Sequence, residues 1–209
     1  IGTVPLCWDI NSLESANIVL IDGDRGPNYP SQDDLSNEGY CAFLSAKNVT
    51  QKGFSWTDMQ YISFDKHNKL GGGEVINNDI VITTRGTVGN IALYNERDDL
   101  NAVRINSGML ILRNGNEALS PKFLYYSYVE FIFNAEFKKT VSGSAQPQLP
   151  SKDLKKFAVV IPSKKEQEEI VKRVESANNI LSRYHEELEK YKLIKKGLMQ
   201  DLLAGKVKV

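Results

Sequence analysis

Residues 170–202 read IVKRVESANNILSRYHEELEKYKLIKKGLMQDL, and this stretch determines the architecture that the rest of the chain must fit. Apolar or large residues recur at alternating steps of four and three, and Lys195 fills the one position that interrupts the series. A seven-residue repeat of this kind predicts an α-helix with an apolar seam along one face. The seam consists of Ile170, Val174, Ala177, Leu181, Tyr184, Leu188, Tyr191, Leu198 and Leu202.

The length of this helix predicts that it has a partner. Neither Pro nor Gly occurs between Lys164 and Lys196, so we predict one helix from Ser163 to Leu203. At 1.5 Å per residue it is roughly 60 Å long, which is more than a compact domain of this size needs for packing. The sequence contains no second helix of similar length. The seam is therefore expected to pack against a helix outside this segment, with Lys195 specifying the register.

The residues before the helix predict an α+β domain with a mixed β-sheet and a few helices. Short runs of Val, Ile and Leu alternate with clusters of Gly, Asn, Asp and Pro, as in strands joined by turns. Ser120 as N-cap and Pro121 in the first turn predict a helix that runs to about residue 138. We divide the chain into a globular domain, residues 1–162, and the long helix, residues 163–209. The predicted strands are at 17–21, 39–44, 61–63, 80–84, 91–94, 109–113 and 157–162.

The charges are unevenly distributed along a chain whose formal net charge is zero. Residues 1–150 hold 12 Lys and Arg against 17 Asp and Glu, a net charge of −5, and residues 151–209 hold 14 against 9, a net charge of +5. An acidic globular part argues against indiscriminate binding of nucleic acid, which requires concentrated positive charge. Two cysteines, Cys7 and Cys41, without a signal peptide indicate a reducing compartment, so we predict a cytoplasmic protein. No 18-residue apolar run is present, which predicts no membrane span.

The sequence contains no recognisable catalytic arrangement. His67 falls in a predicted polar loop, residues 66–69, and His185 falls on the long helix, so both are expected to be solvated. Two Cys and two His without paired spacing do not match a zinc site. Gly71-Gly72-Gly73 lacks the Gly-Lys-Ser/Thr ending of a phosphate-binding loop. We therefore predict a non-catalytic chain that holds no metal.

Binding of DNA has more support, because four loops combine basic or amide side chains with Gly, Ser or Thr. Arg and Lys donate to guanine, Asn and Gln pair with adenine, and hydroxyl and backbone N–H groups hold phosphates. Ordinary solvated turns have the same composition, so composition alone leaves both interpretations open. The candidate DNA contacts are Lys47, Asn48, Lys66, Lys69, Arg85, Thr87, Lys139, Ser142, Ser144 and Gln146.

Six stretches together resemble the specificity subunit of type I DNA restriction-modification systems. Each pattern is weak alone, but they occur in the family's order, cover nearly the whole chain and end in the long helix. The stretches are Val4-Pro5-x-x-Trp8, Leu44 to Val49 with Gly53, Asn78 to Gly89, Gly143 to Leu149, Ile161-Pro162 followed by Glu166-Gln167, and Lys196 to Leu203.

The resemblance implies a target recognition domain that reads one half of a bipartite DNA sequence, followed by a spacer helix. It implies double-stranded DNA and the methyltransferase and restriction subunits as partners. S-adenosylmethionine, ATP and Mg²⁺ then belong to those partners, and this chain has no cofactor. Family members carry two such units with antiparallel helices. The single unit here leaves open a half-subunit that forms a homodimer or a part of a longer chain.

Two other interpretations stay open. The chain could be a structural coiled-coil module without direct DNA readout. It could also be the recognition-domain fragment of a DNA methyltransferase. The second is disfavoured because the sequence has neither a glycine loop for S-adenosylmethionine nor an Asn/Asp-Pro-Pro-Tyr/Phe catalytic motif.

Overall fold

The computed structural model describes residues 4–140 and 148–206, and the chain divides into two compact units, residues 1–168 and 169–209. The first unit combines short strands with short helices, which confirms the predicted α+β class. Its strands are β1 (Asp9–Ser12), β2 (Ile18–Asp22), β3 (Cys41–Leu44), β4 (Val49–Thr50), β5 (Gly53–Phe54), β6 (Tyr61–Ile62), β7 (Ile80–Thr83), β8 (Ile91–Leu93), β9 (Ala102–Ile105), β10 (Met109–Asn114) and β11 (Ala158–Ile161). Its helices are α1 (Phe64–Lys69), α2 (Pro121–Ser127), α3 (Phe133–Thr140) and α4 (Ser151–Leu154).

Two sheets form the centre of this unit. One has the strand order β2-β10-β7-β8 and is antiparallel throughout, and the other has the order β6-β3-β9 with β3 and β9 parallel. Strands β3 and β7 are buried at every position, because both of their faces pack against other elements. One cluster of buried apolar side chains draws on both sheets. It includes Ala42, Leu44, Val81, Val103, Ile105 and Ile111.

The sequence analysis missed one strand of the second sheet and predicted a loop where the structure has a short helix. Strand β9 carries Arg104 in an otherwise apolar run, and its parallel pairing with β3 joins segments far apart in sequence. Residues 66–69 were predicted as a polar loop, but they belong to α1, whose N-cap Ser63 accepts a hydrogen bond from the Lys66 backbone N–H. Its buried residue, His67, is only 8% exposed, so the prediction of a solvated side chain was wrong.

The polar ring of His67 tolerates burial because it accepts a hydrogen bond from Arg104. The Nε of Arg104 donates to Nδ1 of His67 at 3.0 Å, and Nη1 of Arg104 donates to the Gly72 carbonyl at 2.6 Å. The carboxylate of Glu74 lies 3.5 Å from Nη2 of Arg104. An imidazole that accepts through Nδ1 is neutral, since both ring nitrogens of a protonated histidine are donors. Burial, together with the positive charge of Arg104, lowers the pKa of His67.

We expect His67 to make the folded state sensitive to mild acid. Its pKa is lower in the folded chain than the ordinary value of about 6.5, so the unfolded chain binds the proton more readily. The stability that the neutral ring contributes is present above about pH 6.5 and is lost as the pH falls below it, at no more than about 1.4 kcal/mol per pH unit. Denaturant unfolding between pH 7 and pH 5 should show a flatter pH dependence in His67→Gln. The matched control His185→Gln, at an exposed position, should keep the wild-type slope.

An ion pair between the buried Asp79 and the partly exposed Arg113 joins β10 to the turn that precedes β7. The carboxylate of Asp79 is 2% exposed and accepts from Nε and Nη2 of Arg113 at 3.0 and 2.8 Å. It also accepts from the Ile76 backbone N–H at 2.8 Å. Asp79 belongs to the Asn78-to-Gly89 stretch, so the structure gives this part of the stretch a role inside the fold.

The long helix α5 (Lys164–Leu203) begins with a capping box formed by Ser163 and Glu166. Ser163 and Glu166 exchange hydrogen bonds, so that each side chain satisfies a backbone N–H at the helix start. Gln167 is 1% exposed: it donates to the carbonyls of Ala118 and Pro162 and accepts from the Ser120 backbone N–H. The helix has 40 residues and ends at Leu203 as predicted, but it begins at Lys164, one residue later than predicted. In the described part of the chain, no helix has both the length and the apolar character that a membrane crossing requires.

Candidate nucleic-acid interface

Several loops leave the two central sheets at one common edge. Strand β2 ends opposite the start of β10, where Asp22 pairs with Leu110, and β7 ends opposite the same start, where Thr83 pairs with Met109. Strands β3 and β9 are parallel, so their carboxyl ends also lie at this edge. The Asn106 backbone N–H, which follows β9, donates to the carbonyl of Leu44 at 2.9 Å. We call residues 22–28, 45–48, 84–90 and 106–108 together the loop edge.

The β7–β8 hairpin is the best defined part of the loop edge. The hydroxyl of Thr83 donates to the carbonyl of Thr87 and accepts from the Asn90 backbone N–H at 3.0 Å, which closes the loop from inside. Gly86 and Gly89 have φ angles of +71° and +93°, a region that disfavours other residues. Arg85 and Thr87, both predicted contacts, are exposed. The backbone carbonyl of Thr87 accepts the hydrogen bond from Thr83, whereas the Thr87 side chain lies at the surface.

Arg85 lies beside the segment that follows Gln146. The Leu149 backbone N–H donates to the Thr84 carbonyl at 3.2 Å, so residues 148–151 lie against the base of the hairpin. Together they line a cleft of about 170 Å³, and Arg85 is one of its lining residues. Within residues 4–140 and 148–206 the Arg85 guanidinium forms no ion pair, and all its donors are available to an acceptor outside the fold.

The residues after β3 divide into an exposed lysine and a buried asparagine. Lys47 is exposed at the loop edge, as a DNA contact requires. Asn48 is 4% exposed, and its Oδ1 accepts from the Ser45 backbone N–H at 3.0 Å. Its Nδ2 donates to the carbonyls of Ser55 and Thr57 at 3.2 and 3.3 Å. Because the Asn48 amide is fully used inside the fold, we assign it a structural role and omit it from the proposed contacts.

The two lysines of α1 have different surroundings. Nζ of Lys66 lies 2.9 Å from the Asp34 carboxylate, and the hydrogen bond from Lys66 is the main cause that lowers the pKa of Asp34 to about 2. Lys69 is exposed and its backbone carbonyl accepts from the Asn28 amide at 3.2 Å. The helix follows β6, which leaves the sheet at the end opposite the loop edge. Its carboxyl end returns to the loop edge, where Lys69 contacts Asn28. The ion pair with Asp34 therefore competes with a DNA contact by Lys66.

Four predicted contacts cannot be placed by their side chains. Lys139 lies within α3, and only its backbone is described. Ser142, Ser144 and Gln146 lie outside the described residues. The described residues that border them, including Gln148, lead directly to the cleft beside Arg85.

The loop edge also carries a charged pair that the sequence analysis did not select. Nη2 of Arg25 donates to Oδ1 of Asp22 at 2.9 Å and to the Ser107 carbonyl at 3.2 Å. Arg25 and Asp22 both line the cleft with Arg85. The three-residue spacing of opposite charges after a predicted strand was the sequence signal that could have identified this pair.

The described residues contain no group of three His, Cys, Asp or Glu side chains that could hold a metal ion.

The predicted helix seam is exposed over most of its length. Ile170 and Val174 are half-buried, and the seam is exposed from Ala177 onward. Of the large seam side chains, Leu181 is 56% exposed and Tyr184 is 65% exposed. Leu188, Tyr191, Leu198 and Leu202 are 51%, 59%, 57% and 43% exposed.

Comparison with known proteins agrees with the resemblance carried by the motifs. A family described as "Type I restriction modification DNA specificity domain" matches residues 18–194. The type I restriction enzyme MjaVIII specificity subunit of Methanocaldococcus jannaschii is 24% identical over 213 residues, which cover 100% of this chain and 48% of that protein. The chain thus spans about half the length of the curated relatives that it matches.

Two solved structures share the fold. A chain from a study of complex assembly and conformational transition of the type I R-M system has a TM-score of 0.72 at 18% identity, covering 97% of this chain and 46% of that one. The HsdS subunit from Thermoanaerobacter tengcongensis has a TM-score of 0.61 at 19% identity, covering 87% of this chain and 40% of that one. Since the family match extends over most of the residues, the chain belongs to the type I restriction-modification DNA specificity domain family.

Proposed function

We propose that this chain recognises a specific DNA sequence for a type I restriction-modification system. Its globular unit reads one half of a bipartite double-stranded target, and the whole assembly uses that choice to place methyltransferase and restriction subunits. The observation that carries the proposal is the loop edge, where the exposed Arg85 and Lys47 lie just beyond the ends of buried strands. Loops on a rigid scaffold are well suited to reading base edges.

The long helix supplies the spacing in this proposal. Its seam pairs with the helix of a second specificity half, which is either another copy of this chain or another part of a longer protein. Two paired helices then fix the distance and rotation between two reading domains, and the rotation must match the groove phase of about 34 Å per turn. The chain acts in the cytoplasm and is not itself an enzyme. S-adenosylmethionine, ATP and Mg²⁺ are bound by the partner subunits.

Selection from a randomised DNA library tests the proposal. The chain, co-purified with its methyltransferase subunit, is mixed with random duplexes, and the bound fraction is sequenced. We expect enrichment of one short motif or of two motifs at a fixed separation. Binding without enrichment of any motif, or no binding at all, would support the scaffolding interpretation. Methyltransferase activity of the chain alone would support the methyltransferase-fragment interpretation.

Arg85→Ala should weaken specific binding more than nonspecific binding. A guanidinium that donates to guanine O6 and N7 contributes about 1–3 kcal/mol of discrimination, and loss of that contact relaxes the preference at one position. The measurement is a titration of the enriched duplex and of a scrambled duplex at fixed salt. Lys52→Ala, an exposed charge in the turn between β4 and β5, is the control for loss of a positive charge. Equal affinities of Arg85→Ala and wild type for both duplexes would remove Arg85 from the contacts.

A further inference from the structure

The ion pair between Asp22 and Arg25 lies at the loop edge and contributes little to the stability of the fold. The side chains are 45% and 49% exposed, and exposed ion pairs contribute little to folding. The Arg25 guanidinium is nevertheless tied to two separate segments, through Asp22 at the end of β2 and through the Ser107 carbonyl before β10. Both contacts use Nη2, and Nε and Nη1 donate to no other described residue. The group is therefore oriented in advance while its other donors stay available.

The cleft next to this pair is lined by donors and an acceptor together. Arg25 and Arg85 have guanidinium groups, Ser151 has a hydroxyl group, and Asp22 has a carboxylate. In the described residues the Asp22 carboxylate accepts only from Arg25. Its neighbour Asp24 differs, because the Asp24 carboxylate accepts from the backbone N–H groups of Gly26 and Gly71 and so shapes the loop.

The presence of both guanidinium and carboxylate groups in the cleft favours a base edge over a backbone phosphate. A phosphate offers acceptors alone and is repelled by the Asp22 carboxylate. A G·C pair offers guanine O6 and N7 as acceptors and the cytosine N4 amino group as a donor in the major groove. Guanidinium groups suit the first two atoms, and a carboxylate suits the third. The lining therefore complements the edge of a G·C pair.

We propose that Asp22 and Arg25 read one G·C base pair of the target half-site, Arg25 donating to guanine and Asp22 accepting from cytosine. This inference rests on the proposed function in DNA recognition and assigns two specificity-determining residues to it. Arg85, at the other side of the same cleft, contacts the neighbouring position.

The test repeats the library selection with Arg25→Lys, Arg25→Ala and Asp22→Ala in the complex with the methyltransferase subunit. Lysine keeps the charge but loses the fork, so a base reader fails in Arg25→Lys whereas a phosphate contact survives. We expect the preference for one G·C position to fall by roughly 5- to 150-fold in all three variants, with the remaining motif kept. The matched control Arg97→Ala breaks an exposed Arg–Asp pair in the β8–β9 loop, at the opposite ends of the strands, and should keep the whole motif.

Other outcomes would overturn the inference. If Arg25→Lys keeps the motif, and Arg25→Ala weakens all sequences equally with a salt slope reduced by about one, Arg25 contacts a phosphate. If the variants select the same motif with the same strength as wild type, the pair reads nothing, and the proposed DNA function still stands. If wild type itself enriches no motif, the proposed function fails and this inference fails with it.

Discussion

Arg113→Ala should lower the free energy of unfolding by about 3–5 kcal/mol, a large part of the stability of a domain of this size. The reason is the carboxylate that remains. Asp79 is 2% exposed, and without Arg113 it stays buried with a single backbone N–H donor from Ile76 to stabilise its charge. Removal of one partner of a buried pair costs far more than the pair itself contributes.

Denaturant unfolding of the full chain at neutral pH measures this effect. The control is Lys155→Ala, which removes an ion pair with Glu14 whose side chains are 46% and 68% exposed. The control should cost about 1 kcal/mol or less. Asp79→Asn in the Arg113→Ala background should recover part of the loss, because it removes the buried charge. Equal unfolding midpoints for Arg113→Ala and the Lys155→Ala control would contradict the assignment.

Leu181→Asp combined with Leu188→Asp should abolish pairing of the long helix. Both leucines are more than half exposed, yet they continue a seam that spans most of the helix. If a second copy covers the seam, each leucine contributes about 1.5–3 kcal/mol when buried. Two substitutions in each of two chains then remove roughly 6 kcal/mol or more from association, before any cost of burying a carboxylate.

Sedimentation of wild type and variant at the same concentration measures the pairing. The matched control is Leu193→Asp, because Leu193 is 70% exposed and lies off the seam. It should leave the mass of the assembly unchanged. If wild type is monomeric alone, the same variants are compared after mixing with the specificity half that completes the pair. A seam variant that assembles as wild type does would show that this face is not the interface.

The long helix and the buried strands could be predicted because each depends on one dominant local pattern. The seven-residue repeat determines α5, and Ile80-Val81-Ile82 determines β7. Strand β9 depends on something else: Arg104 is tolerated in the interior because His67, Gly72 and Glu74 accept its hydrogen bonds. That network exists only after distant segments meet, so local propensity could not reveal it.

The candidate contacts show the same limit. Asn48 and Arg85 have equally suitable side chains for base contacts, and sequence composition does not distinguish them. In the fold, the Ser45 backbone N–H donates to the Asn48 side-chain oxygen. The hairpin that carries Arg85 is instead closed by a hydrogen bond from the Thr83 hydroxyl to the Thr87 carbonyl, which does not involve the Arg85 side chain. Asp22 and Arg25 escaped selection because the contact that orients Arg25 comes from Ser107, 82 residues away. Site residues therefore require the tertiary arrangement, even where the motif is visible.

The separation between buried strands and exposed loop tips also bears on how the target can change over evolutionary time. Substitutions at exposed positions such as Lys47 and Arg85 shift stability by only about 0.5 kcal/mol in either direction. Gly89 is different, because a Cβ there would lie 2.7 Å from the Phe133 ring. Mutation can thus alter the residues that we propose as DNA contacts while the hairpin beneath them is held constant. A lineage could acquire a new restriction specificity by a few tip substitutions without first acquiring a more stable fold.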